Sequence, residues 1–99
     1  CETSLGKNYN SAGVKSMSRG FIAQGAETVL ATLWPVQDRA TAEFMKVFYQ
    51  NLAASKNSLI ALQKTQKSFA RHGRYRHPKY WAGFVLTVSN QQYESISLN

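Results

Sequence analysis

The segment that most constrains this chain is Thr28-Val29-Leu30-Ala31-Thr32-Leu33-Trp34, a nearly continuous apolar run ended by Pro35. A run of that kind reads as a buried strand with both faces covered. The rest of the chain must supply the covering layers. A helical pattern is predicted from Gly13, with Val14, Met17, Phe21 and Ile22 along one face, Gly20 inside it and Gly25 as its C-terminal stop. Residues 3–12, rich in glycine, serine and asparagine, read as a loop.

Beyond Pro35, Asp38 can cap a helix running to about Ala54, with Thr41, Phe44, Met45, Phe48 and Leu52 as its inward stripe. Arg39, Lys46 and Gln50 fall outside that stripe. A further helix is predicted from Asn57 or Ser58 to His72-Gly73, with Leu59, Leu62 and Phe69 on one face. After a basic loop and Pro78, Trp81 to Val88 reads as a second buried strand, and residues 90–99 as a polar tail. Helices alternating with strands predict an α/β fold with a parallel sheet and flanking helices. Two strands do not make a stable sheet, so the N-terminal strands are expected to lie outside this chain.

Ninety-nine residues allow one small domain, and a hydrophobic content of 43% argues against disorder. No apolar run approaches the roughly 20 residues that cross a bilayer, and no signal-peptide pattern is present, so no membrane association is expected. A single cysteine, Cys1, fits a reducing, cytoplasmic setting. One cysteine with two scattered histidines makes a poor metal-ligand set, so neither metal nor cofactor is expected.

The net charge is +7. Lys67, Arg71, Arg74, Arg76 and Lys79 cluster, with Tyr75, Tyr80 and Trp81 interleaved. Such a set can grip phosphates and stack bases, which makes nucleic acid a candidate partner. The plainer reading is a solvated helix end, where cations are favoured.

Cys1 is either an inert thiol or a reactive one. If it closes a strand whose body lies upstream, it stands where open α/β sheets gather reactive groups. The loop after it can bend around a substrate, and Leu33-Trp34-Pro35-Val36-Gln37-Asp38 leaves its strand at the same edge. An indole and a carboxylate beside a thiol would suit an extended peptide.

Several blocks carry a resemblance: Cys1-Glu2-Thr3-Ser4-Leu5-Gly6-Lys7, Gly13-Val14, Phe21-Ile22-Ala23-Gln24-Gly25-Ala26 and Ala31-Thr32-Leu33-Trp34-Pro35-Val36 with Asp38. Ala40-Thr41, Phe48-Tyr49, His77-Pro78 and Tyr80-Trp81-Ala82-Gly83-Phe84-Val85-Leu86 continue it in order over residues 1–89. Together they resemble the C-terminal half of a CHAT domain, the caspase-like peptidase domain often joined to tetratricopeptide repeats. The resemblance implies an incomplete caspase-like fold, a protein or peptide substrate, and partnership with the upstream half of the domain and with repeats. Cys1 aligns with the family's nucleophile, which would attack a peptide carbonyl to give a thioester.

In that family a His-Gly preceding the cysteine activates it, and backbone N–H groups beside both residues form the oxyanion hole. His72-Gly73 follows Cys1 instead, so the pattern gives His72 no catalytic part, and His77 reads as structural. The isolated chain is therefore expected not to be an efficient protease. By likeness to separases, Trp34 and Asp38 would shape the specificity pocket; Asp38 also reads simply as an N-cap. Two alternatives stand beside the peptidase: a non-catalytic CHAT-like interaction module, and an N-terminal nucleophile whose own α-amine is the base.

Overall fold

A computed structural model describes residues 17–89. They build three strands and two helices: β1 (Met17–Ala23), β2 (Ala26–Thr32), α1 (Asp38–Ser55), α2 (Ser58–Arg71) and β3 (Phe84–Val88), with a 3-10 turn at Pro78–Tyr80 before β3. The fold is α/β, and the sheet order is β1-β2-β3.

The first helix expected from the sequence is a strand over its described part. Met17 and Phe21 lie four residues apart, a spacing that one face of a helix and one face of a strand share. The turn decides between them. Gln24 and Gly25 have φ of 54° and 78°, and Ala23 pairs with Ala26, so the chain reverses through a two-residue hairpin. Gly25 thus serves as a turn residue rather than a helix stop. Ile22, neighbouring Phe21, falls on the opposite face and is 67% exposed. Gly13 and Val14, where the predicted helix would start, lie outside the described residues.

The sheet is antiparallel at both pairings, not parallel. The hairpin enforces the first reversal, and the parity of the helices enforces the second. α1 and α2 run antiparallel, as the Phe44–Phe69 ring contact and the bond from Asn51 to Thr65 show. One crossover helix returns a chain for a parallel strand; two leave it at the opposite end, so β3 enters against β2.

Both long helices stand where the sequence puts them. Phe44, Met45 and Phe48 of α1 are buried, and Leu62 and Phe69 of α2 face them in one core with Leu30 and Phe84. Phe44 stacks on Phe84 at 3.8 Å between centroids and meets Phe69 edge-on at 5.1 Å. Leu59 departs from the expected inward face: it is 56% exposed, because the buried line of α2 runs through Ser58, Ala61, Leu62, Thr65 and Phe69. Asn57 caps α2, its Oδ1 accepting the Ile60 N–H at 3.0 Å. Lys56, at φ 57°, ends α1 in the left-handed conformation and turns the chain into α2.

β2 lies two residues earlier than predicted, leaving Leu33 and Trp34 beyond its end and exposed, while Leu30, Ala31 and Thr32 are buried as expected. β3 starts at Phe84 rather than Trp81, and as an edge strand it leaves Val88 54% exposed. It is not covered on both faces.

Candidate functional site

Met17 pairs with Thr32, and Thr32 with Phe84. The start of β1, the end of β2 and the start of β3 therefore share one end of the sheet. There the chain leaves β2 through Leu33–Gln37 and enters α1. Of the predicted site residues, Cys1 lies outside the described residues; Trp34 and Asp38 belong to this end.

Trp34 is held by the stretch that leads into β3. Its Nε1–H donates to the Lys79 carbonyl at 2.9 Å, and the Leu33 N–H donates to the Gly83 carbonyl at 3.0 Å. A Cβ built on Gly83 would stand 2.9 Å from Trp34 Cε2, so glycine is what lets the indole sit there. The ring is 38% exposed, leaving part of it to face outward.

That holding stretch is itself fixed. His77 caps the 3-10 turn, its Nδ1 accepting the Lys79 N–H at 3.1 Å. This gives the residue the structural role expected of it. Trp81 Nε1–H donates to the Arg76 carbonyl at 2.9 Å, and Gln66 Nε2 reaches from α2 to the Trp81 carbonyl at 2.8 Å. The backbone groups that bind Trp34 are thus anchored both locally and to a helix.

Asp38 is not the N-cap expected of it. Gln37 occupies that position without a side-chain cap bond, and Asp38 is the first helical residue. There its charge still favours α1 through the helix dipole. The carboxylate is exposed and lines a cleft with Gln37, Arg39, Arg74, Tyr75 and Tyr80. Trp34 is not among those lining residues. The 3-10 turn links the two: Trp34 bonds Lys79, and the next residue, Tyr80, walls the Asp38 cleft.

A second cleft, of about 480 Å³, shares Arg39, Arg74 and Tyr75 and adds Glu43, Val47, Ser68, Phe69, His72 and Gly73. The sequence pointed to Arg74 and Tyr75 through the basic and aromatic cluster, but placed Arg39 only on an outward face. Nothing in the spacing singled out Gly83; the signal was a glycine two residues after a tryptophan, at the mouth of a strand. Among the described residues no three His, Cys, Asp or Glu side chains gather as a metal site would need. No described helix is long and apolar enough to cross a membrane.

The profile of the CHAT domain matches residues 1–89. Human tetratricopeptide repeat protein 28 is 36% identical over 85 residues, and the mouse protein of that name 34% over 85 residues. Each alignment covers 86% of this chain, but only 3% of the human and 4% of the mouse relative, so the chain spans a small part of the proteins it resembles. No solved structure matches. With nine-tenths of its length inside that profile, the chain belongs to the CHAT domain family.

Proposed function

We propose that this chain is the C-terminal part of a caspase- and separase-like cysteine endopeptidase domain, with Cys1 as its nucleophile. The domain would occupy residues 1–89, followed by the polar tail 90–99. The observation that carries the reading is the CHAT domain match over residues 1–89, which takes in Cys1. Trp34 and Asp38 follow β2 at the end of the sheet where β1 begins.

In this reading the Cys1 thiolate attacks a peptide carbonyl, the amine departs with a proton, and water releases the thioester. The base and half of the oxyanion hole come from sequence upstream of Cys1, so the chain alone turns over peptide poorly. The antiparallel sheet described here is then one part of a larger caspase-like sheet. Asp38 contributes to the substrate pocket, and Trp34 steadies the loop that presents it. A reducing cytoplasmic setting and neighbouring tetratricopeptide repeats go with this role.

The test is to compare peptide turnover and the Cys1 thiol pKa in this chain and in one extended upstream. A thiol pKa lowered and turnover gained only in the extended chain support the reading. Equal turnover by both chains would refute it, and no turnover by either favours a non-catalytic interaction module.

A further inference from the structure

Arg39, Arg74 and Tyr75 stand between two clefts and line both. The first, of about 480 Å³, lies between the early turns of α1 and the C-terminal end of α2. Volumes of this order suit a few side chains of a ligand. Its floor is apolar: Phe69 is 6% exposed, and Tyr75 stacks on it at 6.2 Å between centroids. Val47 completes that floor.

The face around the clefts carries an excess of cations. Arg39 and Arg74 are exposed, and among the described residues neither is ion-paired. Arg71, Arg76 and Lys79 stand exposed on the same stretch as Arg74. In the lining itself Arg39 and Arg74 are matched by two carboxylates, Asp38 and Glu43, and the positive excess of this face comes from the three neighbouring cations.

We propose that this groove docks an acidic peptide segment. An aspartate or glutamate of the ligand is held by Arg39 and Arg74, and an adjacent apolar side chain rests on Val47 and the part of Tyr75 left open. Guanidinium groups suit this task because their planar donor fork matches a carboxylate. The aromatic residues favour peptide over nucleic acid. Tyr75 is packed between Phe69 and Tyr80, so it offers part of its ring to a side chain but no open face on which a base could stack. The inference goes beyond the peptidase reading and does not depend on Cys1.

The experiment is fluorescence anisotropy of a labelled peptide alternating glutamate with leucine and phenylalanine, titrated with the full chain. The peptide should bind, and the affinity should fall as salt rises. Replacing both arginines (R39A with R74A) should weaken it about tenfold or more with the circular dichroism unchanged, since each lost charge-assisted contact is a strong one. On the unaltered chain, a peptide with lysine in place of glutamate should not bind, and single-stranded DNA of matched charge should not displace the acidic one. Failure of the acidic peptide to bind, equal binding by the double variant or by the lysine peptide, or displacement by DNA would overturn the proposal.

Discussion

Trp34 and Gly83 fit against each other so closely that a single methyl group on Gly83 would stand 2.9 Å from the indole Cε2. The backbone of Gly83 is not in the left-handed region, so the constraint on this residue is space alone. The contact ties the exit of β2 to the entry of β3, alongside the bond from the Leu33 N–H to the Gly83 carbonyl.

Gly83→Ala should therefore displace the indole and destabilise the fold by about 1–3 kcal/mol, the usual cost of overpacking. Denaturant unfolding followed by tryptophan fluorescence measures it. In a Trp34→Ala background the same substitution should cost much less. Equal costs in both backgrounds would show that the contact does not matter.

The two helix starts predict losses of different size. Asn57→Ala removes the oxygen that accepts the Ile60 N–H and should cost about 1 kcal/mol. Asp38→Asn removes a charge near the helix dipole but no cap bond, and should cost roughly 0.5 kcal/mol or less. Thermal melts of the two variants compare them directly.

At the hairpin, Gly25→Ala forces a side chain onto φ 78° and should destabilise by about 1 kcal/mol or more. Thermal melts measure it, and an unchanged melting temperature would contradict the strained turn position.

Phe44 is fully buried and touches both Phe69 and Phe84, one ring from α2 and one from β3. Phe44→Ala should cost about 3–5 kcal/mol, a large share of the stability of a domain of this size. Loss of near-ultraviolet circular dichroism would report it.

The helices were legible because Phe44, Met45 and Phe48, and then Leu62 and Phe69, repeat with a period that only a helix satisfies. Met17 and Phe21 carried no such information, since a spacing of four serves either element. The Gln24-Gly25 turn was the discriminating signal, and it reads equally as a helix end. Sheet direction followed from counting two helices between β2 and β3 rather than from any residue. Asp38 was correctly put at the head of α1, but a one-residue shift moved it from cap to first turn, which propensity cannot resolve. Trp34 was visible as a large ring at a strand exit. Its hydrogen bond to Lys79, 45 residues away, and its seat on Gly83 depend on tertiary contacts that no local pattern encodes.

The central claim rests on Cys1. Peptide hydrolysis by the chain extended upstream, measured beside its Cys1→Ala variant, tests it most directly. The account predicts turnover by the extended chain, accumulation of a thioester on Cys1, and loss of both on substitution. Hydrolysis that persists in Cys1→Ala would contradict it.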